Sequence, residues 1–429
     1  MTTVAVVVFV VTYALIASER VHRVAAALVG AGLMLVFKVL DAREAFQSPD
    51  LGVDWSVIFL LLGMMLIVAV IHRTGLFDFV AIWSAKRAHG RPFRILVMLS
   101  LVTAVASALL DNVTTVLLIA PVTVLIAERL GISAVPFLIA EVLASNIGGT
   151  ATLVGDPPNI IIGSEAGLSY TAFLVHLGPI AAIVLGLFLV LARTLFWPRL
   201  RAAPERVSEV MALREREAII DVGLLIRSLV VLGGVTVGFL LHNVIGYEPA
   251  TVALLGAGAL LLISSNDVGK LMRDVEWETL VFFMALFVMV GGLVKVGVIH
   301  GIAEAAADLT DGRPLLATML ILGVSGALSG FVDNIPYVAA MAPVVGELSQ
   351  ALGAAAPAGV LWWALALGAD LGGNLTTVGA SANVVVVGIA ARSGHPIRFV
   401  EFLRYGAIVT VLGILVSGVY LWIRYFLLG

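Results

Sequence analysis

Four aspartates stand in apolar or glycine-rich stretches of the chain, where ionisable side chains are rare: Asp111, Asp156, Asp333 and Asp370. A carboxylate in such surroundings can hold a proton or a cation, or accept a hydrogen bond from a hydroxyl-bearing solute. Amide and hydroxyl side chains that share this chemistry flank them: Asn112, Thr114, Thr115, Asn146, Thr150, Thr152, Asn159, Asn334, Asn374, Thr376, Thr377, Ser381 and Asn383. Together these residues predict an oxygen-rich binding site.

The polar residues occur in two copies of one pattern. The Asp-Asn pair at 111–112 returns at 333–334, and NIGGTATLVGDPPN (146–159) aligns with DLGGNLTTVGASAN (370–383). Flanking residues return at the same offset, among them Trp55 as Trp277 and Gly75 as Gly297. Two copies of a polar, glycine-broken unit in a hydrophobic chain are typical of secondary transporters whose binding site lies between two repeats.

Composition places the chain in a membrane. It is 61% hydrophobic and 12% charged, with a mean hydropathy of +1.11, whereas soluble domains carry roughly 25% charged residues. The chain has no cysteine, which excludes disulfides and cysteine-ligated metal. The first apolar segment, 4–16, has no basic region before it and no clear cleavage site after it, so we interpret it as a retained helix.

The hydropathy pattern predicts an all-α polytopic membrane protein with about ten transmembrane helices, at 3–17, 24–40, 55–72, 134–163, 170–194, 221–242, 249–265, 278–294, 359–391 and 402–427. Two further apolar pairs are too short for ordinary spans, so we interpret 93–128 and 315–350 as re-entrant helical hairpins with the Asp-Asn pairs at their tips. Glycines and polar residues interrupt 134–163 and 359–391, which predicts that each crossing is a broken helix.

The distribution of positive charge predicts the orientation. With the 73–92 and 195–220 loops on one side, 20 of the 25 Lys and Arg residues lie there, so this side is cytoplasmic and both termini are outside. The two halves then run in opposite directions. We therefore expect inverted repeats at 1–198 and 221–429, joined by a cytoplasmic linker at 199–220. The linker is interpreted as a solvated helix, and a regulatory or partner-docking role stays open.

The aspartates have two interpretations. Asp and Asn are preferred helix N-caps, so the tips are expected to cap the following half-helix as well as to line the site. Asp370 stands where the first copy has Asn146, and is the first candidate for a proton carrier, with Asp333 and Asp111 next. Glu141, also at membrane depth, is a fourth candidate or simply pairs with a neighbour.

The predicted site has no fixed positive charge, because no Lys or Arg lies beside these polar residues in the sequence. Half-helix N-termini and freed backbone groups add ligands. A carboxylate-rich site without a fixed cation favours a cation, a proton or a neutral hydroxyl-bearing solute over a dicarboxylate.

The motifs resemble a known family. DNVTTVLLIAPVTVLIAERL, AEVLASNIGGTATLVGDPPNIIIGS, FVDNIPY and GADLGGNLTTVGASANVVVVG are similar to the arsenite-permease and P-protein branch of the ion transporter superfamily, whose fold is citrate-transporter-like. The resemblance implies ten helices in inverted repeats with two re-entrant hairpins, and proton-coupled exchange. Arsenical pump permeases of this branch expel arsenite and antimonite, sometimes with a soluble ATPase. Sodium/proton antiporters and organic-acid carriers belong to the same superfamily.

We therefore predict a secondary active transporter of the bacterial inner membrane that expels arsenite or antimonite in exchange for protons. The main alternative is a sodium/proton antiporter that uses the same carboxylates, and an organic-anion carrier is less favoured. An intramembrane aspartyl protease is not expected, because Leu153 stands where its GxGD signature needs glycine, and a channel would need a continuous pore.

The expected partners follow from this class. They are the solute, protons and membrane lipid, with no nucleic acid, no cofactor and no metal ion. Related folds are often dimeric, so a homodimer stays open, as does a soluble ATPase partner.

Overall fold

The computed structural model describes residues 1–18, 20–200, 202–264 and 267–428. The first half contains α1 (Thr2–Ala17), α2 (Arg23–Val36), α3 (Ala42–Gln47), α4 (Trp55–His72), α5 (Leu76–Arg87), α6 (Pro92–Leu109), α7 (Asn112–Leu130), α8 (Val135–Gly149), α9 (Pro157–Ala166), α10 (Tyr170–His176) and α11 (Gly178–Phe196). No strand occurs in these described ranges.

The second half repeats this order after a linker that contains α12 (Pro204–Met211) and a 3-10 turn at Glu215–Ala218. Its helices are α13 (Val222–Leu240), α14 (His242–Ile245), α15 (Pro249–Ile263), α16 (Val268–Arg273), α17 (Trp277–Lys295), α18 (Val298–Leu309), α19 (Pro314–Leu328), α20 (Asn334–Leu352), α21 (Val360–Gly372), α22 (Ser381–Arg392) and α23 (Phe399–Leu421).

Eight of the described helices are long and apolar enough to cross a membrane, namely α4, α6, α7, α11, α13, α17, α20 and α23. The other apolar helices are shorter, including α1, α2 and α15. The all-α fold with a hairpin and a broken helix in each half is confirmed. Three of the four hairpin helices, α6, α7 and α20, are long enough to cross a membrane, so the expectation that both hairpin pairs are too short for ordinary spans was wrong. The sequence prediction missed α5, which lies inside the predicted 73–92 loop, and its counterpart α18.

The two halves are interleaved. Helix α2 of the first half packs on α17 of the second half, and its counterpart α15 packs on α4 of the first half. The hairpin helices cross over too: α7 packs on α22 and α20 packs on α9. Each polar hairpin tip therefore lies beside the broken helix of the opposite half as well as that of its own.

Within each half, small residues bring the hairpin close to the broken helix. A Cβ on Gly148 of α8 would lie 2.1 Å from the carbonyl oxygen of Ala104 in α6. In the second half, a Cβ on Gly372 of α21 would lie 2.7 Å from the carbonyl oxygen of Gly326 in α19. Small residues at such crossings let helix backbones approach closely, which compensates for the weak hydrophobic drive between helices in lipid.

The linker is mostly exposed to solvent, with Val210 buried, and it is anchored to the first half at several points. Lys86 of α5 donates hydrogen bonds from Nζ to Glu215 Oε2 (2.5 Å) and to the Leu213 carbonyl (3.1 Å). The Ile220 amide donates to the Thr74 carbonyl at 2.9 Å. The linker therefore holds α5 and the loop before it.

Candidate functional site

Each broken helix is held open by one asparagine. In the first half the chain leaves the helix after Gly149 and resumes at Pro157, and Asn159 Nδ2 donates to the carbonyls of Gly149 (3.3 Å) and Thr152 (3.0 Å). In the second half Asn383 Nδ2 donates to the carbonyls of Gly373 and Thr376, both at 2.7 Å. These bonds satisfy backbone carbonyls that the break has freed, as buried polar groups require.

The hairpin tips are helix N-caps, as the sequence predicts. Asp111 Oδ1 accepts from the Thr114 amide at 2.7 Å, and Asp333 Oδ1 accepts from the Ile335 amide at 3.1 Å. Capping uses one carboxylate oxygen of each residue. The second oxygen of Asp111 or Asp333 remains able to face a ligand or another side chain.

Asp156 connects the two tips. Asn112 Nδ2 donates to Asp156 Oδ2 at 2.7 Å, and Asn334 Nδ2 lies 3.2 and 3.3 Å from Asp156 Oδ1 and Oδ2. All three side chains are buried. One carboxylate of the first half thus binds both hairpins, and its counterpart in the second half is Ala380, whose side chain cannot accept a hydrogen bond.

The hydrogen-bond network continues from the first half into the second. Asn112 Nδ2 also lies 3.2 Å from Asn146 Oδ1, and Asn146 Nδ2 donates to Asn374 Oδ1 (3.0 Å) and Asn383 Oδ1 (3.1 Å). These four asparagines are joined through Asp156 to Asn334 of the second tip, so the buried hydrogen-bond network is continuous. Such networks rigidify a core when satisfied and are costly when broken.

The predicted threonines divide into two groups. Thr150, Thr152 and Thr376 donate to backbone carbonyls of Asn146 (2.9 Å), Ala108 (2.6 Å) and Gly330 (2.6 Å). Their hydroxyls hold the breaks in place. The hydroxyls of the second group, Thr114, Thr115 and Thr377, do not hold the breaks, and that of Thr115 is buried without a partner among the described residues.

Asp370 is fully buried, and neither of its carboxylate oxygens has a hydrogen-bond partner among the described residues. Thr150 and Asn159 lie beside it. An unpaired buried carboxylate is strongly unfavourable, so this position suits a bound proton or cation. The acid that stands opposite an asparagine in the first copy is therefore buried with both of its carboxylate oxygens unpartnered among the described residues.

Glu141 lies apart from this network. Its Oε1 accepts a hydrogen bond from Thr123 Oγ1 at 2.5 Å, and its Oε2 is buried without a partner among the described residues. The structure supports pairing with a neighbour, one of the two interpretations of the sequence, and does not bring Glu141 to the tips.

The expectation of a site without a fixed cation was wrong. Arg23, the first residue of α2, donates from Nη1 to Asp333 Oδ2 (3.0 Å) and to Ser381 Oγ (2.6 Å), and Ser381 Oγ in turn donates to Asp333 Oδ2 at 2.7 Å. No local signal predicts this contact, because Arg23 lies 310 residues from Asp333 and resembles an interfacial residue at the start of a span.

Two cavities reach the predicted site residues, and a third is lined by residues that correspond by the repeat to those of the second cavity. A cavity of about 740 Å³ is lined by Arg23, Asp333 and Ser381, together with Glu276 and Glu278. We call it the main vestibule. A cavity of about 420 Å³ reaches Thr114, and one of about 390 Å³ lies at the corresponding positions of the second half.

The acidic residues do not form a metal-binding cluster of the usual kind. Within the described ranges, no group of three or more His, Cys, Asp or Glu side chains is close enough to hold a metal ion. An ion bound at the centre would instead be held by amide, hydroxyl and carboxylate oxygens and by backbone carbonyls of the breaks.

The sequence matches one protein family over most of its length. Residues 13–368 match the family described as citrate transporter (CitMHS). The chain is 54% identical over 429 residues to the 46 kDa membrane protein of Mycobacterium leprae, with both chains fully covered. It is 53% identical over 428 residues to an uncharacterized transporter of Mycobacterium tuberculosis, again over the full length of both.

More distant relatives share the architecture. The chain is 34% identical to the human P protein, over all of this chain and 60% of that protein. Among solved structures, the YdaH transporter of Alcanivorax borkumensis superposes with a TM-score of 0.61 at 18% identity, covering 98% of both chains. MtrF of Neisseria gonorrhoeae gives a TM-score of 0.58 at 14% identity, with the same coverage. At these identities the two structures establish the fold.

Proposed function

Because this chain belongs to the citrate transporter family of the ion transporter superfamily, we propose that it is a secondary active transporter that exchanges a small oxygen-rich solute for protons. The proposed cargo is arsenite or antimonite, moved out of the cell across the bacterial inner membrane. The distribution of Lys and Arg supports an orientation with both termini outside.

Asp370 carries the proposal. It is buried and ionisable, and neither of its carboxylate oxygens has a hydrogen-bond partner among the described residues. A carboxyl group in this position can take up and release a proton without breaking an existing bond. Its charge change acts beside Thr150 and Asn159, which hold the unwound stretch of the first half.

Asp156 supplies a route from protonation to movement. Both hairpin tips donate hydrogen bonds to it, so a change of charge in its surroundings alters how strongly the tips are held together. A proton at Asp370 can therefore favour one arrangement of the hairpins over another.

Arsenite fits the donors and acceptors of the site. Its neutral trihydroxy form offers hydroxyl groups to carboxylate and amide oxygens, and accepts hydrogen bonds from Asn amides and from Arg23. No thiolate is needed, because a transporter must also release its cargo. The cysteine-free sequence is compatible with this chemistry.

Sodium/proton antiport is the second candidate, and the unpartnered oxygens favour it. Asp370 Oδ1 and Oδ2, Asn159 Oδ1 and Asn112 Oδ1 are buried and lack partners among the described residues. Hard cations prefer such oxygen ligands. In this mechanism the cation and the proton would compete for Asp370.

The test is arsenite accumulation in everted membrane vesicles energised by a proton gradient. We expect uptake that collapses with an uncoupler and is lost in Asp370→Asn, which introduces the amide that the first copy has at Asn146. Asp308→Asn makes the same chemical change at an exposed position of α18 and should transport normally.

Other outcomes identify the alternatives. Absent arsenite uptake with a sodium-induced collapse of the gradient would establish cation antiport. Uptake of labelled citrate instead would establish an organic-anion carrier. Unchanged coupling in Asp370→Asn would remove Asp370 from the mechanism.

A further inference from the structure

We propose that Arg23 is a specificity-determining residue that binds an oxyanion or hydroxyl oxygen of the solute in the main vestibule. The inference deepens the proposed transport function and rests on it. Arg23 reaches from α2 to the second hairpin tip and to the second break, where its Nη1 contacts Asp333 and Ser381. Its guanidinium also lies over the Phe282 ring, 5.3 Å from the centroid.

Several N–H groups of Arg23 make no hydrogen bond to a described residue. A guanidinium presents five N–H groups in a planar fork, yet all hydrogen bonds of its side chain to described residues come from Nη1. The side chain is 31% exposed and lines the main vestibule of about 740 Å³. Its Nε and Nη2 groups are therefore available to a planar oxyanion or to hydroxyl oxygens.

The fold does not explain Arg23. The first tip has the same Asp-Asn pair, and its aspartate also caps the following helix, although through the Thr114 amide three residues on instead of the amide two residues on, as at Asp333. No Arg or Lys among the described residues forms an ion pair with Asp111. At the corresponding start of α15 the chain has Glu248 and Pro249, and Glu248 accepts a hydrogen bond from Ser56 at 3.1 Å. Since one tip folds without an arginine, the arginine at the other has a role beyond capping.

The charges of the vestibule limit what Arg23 can bind. The other titratable groups that line it are His22, Glu276, Glu278 and Asp333, and Glu278 pairs with His22 at 3.4 Å. Because Asp333 already neutralises Arg23, the remaining glutamates repel multiply charged anions. This environment selects neutral or singly charged oxygen-rich solutes.

The test uses the natural absence of cysteine. Val384 lines the main vestibule and is 48% exposed, so Val384→Cys provides a single reporter thiol. The rates of modification by an anionic sulfonatoethyl and a cationic trimethylammonioethyl thiosulfonate are measured in vesicles. In this background, Arg23→Gln should lower the anion-to-cation rate ratio about tenfold, whereas Arg23→Lys should keep most of it.

Two controls separate binding from other effects. Arg20→Gln removes an exposed charge from the same loop and should change the ratio less than about twofold, because that charge is screened by solvent. Arg23→Gln combined with Asp333→Asn removes both members of the ion pair, so it leaves the net charge unchanged and no carboxylate unpaired.

The double variant decides the question. If Arg23 binds the sulfonate directly, the ratio stays at least about threefold below that of the unsubstituted reporter, and the rate of anionic modification no longer saturates with reagent concentration. A ratio that returns to the unsubstituted value would show that Arg23 serves only to neutralise Asp333, and would overturn the proposal. Protection of the reporter thiol by arsenite is scored separately, so a wrong cargo is distinguished from a wrong role for Arg23.

Discussion

The two hairpins have nearly the same sequence framework but different surroundings. The linker packs against both ends of α5 in the first half: a Cβ on Gly75, before α5, would lie 1.8 Å from the Ala218 carbonyl oxygen, and one on Gly90, after α5, would lie 2.5 Å from Val207 Cγ1. A Cβ on either of the matching glycines of the second half, Gly297 and Gly312, would meet no described atom within 4 Å. The first hairpin thus has a fixed neighbour on this side that the second lacks.

The two hairpin tips also differ in the ion pairing of their capping aspartates. The first tip has a capping aspartate without an ion pair to a described residue, and the second has an aspartate paired with Arg23. Asp156 and Asp370 likewise stand opposite Ala380 and Asn146. Repetition thus supplies a symmetric frame, and single substitutions on it make the two halves chemically different.

Asp156→Ala gives the first half the residue that the second half has at Ala380. We expect transport to fall more than about a hundredfold, because the amides of Asn112 and Asn334 both lose the acceptor that joins the two tips, and a buried donor left without a partner costs about 1–3 kcal/mol. Transport and thermal unfolding are measured on the same preparation. The reciprocal Ala380→Asp should not rescue it, and a transport rate near that of the unsubstituted protein would show that Asp156 does not couple the hairpins.

Gly75→Ala and Gly297→Ala form a matched pair. Both glycines have positive φ, +79° and +76°, so each substitution costs about 1–2 kcal/mol from the backbone conformation. Only Gly75→Ala also forces a Cβ against the Ala218 carbonyl, which should add about 1–3 kcal/mol. The measurement is the difference in thermal unfolding in one detergent. Equal losses of stability would mean that the linker yields without cost and does not hold the first half.

Glu215→Gln tests the ion pair of the linker. The hydrogen bond from Lys86 lowers the pKa of the Glu215 carboxyl below its ordinary value of 4.5. A lowered folded-state pKa stabilises the protein above pH 4.5, and this stabilisation is lost as the pH falls through the lowered pKa. The unsubstituted protein should therefore melt slightly above Glu215→Gln at pH 7, by no more than about 2 °C, and equally at acidic pH.

Glu217→Gln is the control for this experiment. Glu217 pairs with Arg214 inside the linker at 2.7 Å, and both side chains are well exposed. Loss of the Glu217 charge should leave the melting temperature unchanged at pH 7 and at acidic pH. A difference between the two glutamine variants that persists at low pH would assign the effect of Glu215 to packing instead of charge.

The sequence alone determined the repeat, the membrane class and the placement of the polar residues. Local signals are sufficient for these three conclusions. Glycine and asparagine interrupt helices, an aspartate caps the helix that follows, and the length of an apolar stretch shows whether it can span a bilayer. For the same reason the hairpins and the broken helices end within a few residues of the predicted bounds.

Which half supplies each contacting residue depends on how the helices pack in three dimensions. The crossing of α2 and α15 to the opposite halves brings Arg23 to Asp333, and the crossing of the hairpins brings Asn334 to Asp156. No local pattern encodes these contacts, because they join residues far apart in the chain whose neighbours in sequence resemble ordinary helix ends. The docking of the linker on α5 has the same origin. A polar segment is expected to be solvated until the close approach of Gly75 to the Ala218 carbonyl shows what it packs against.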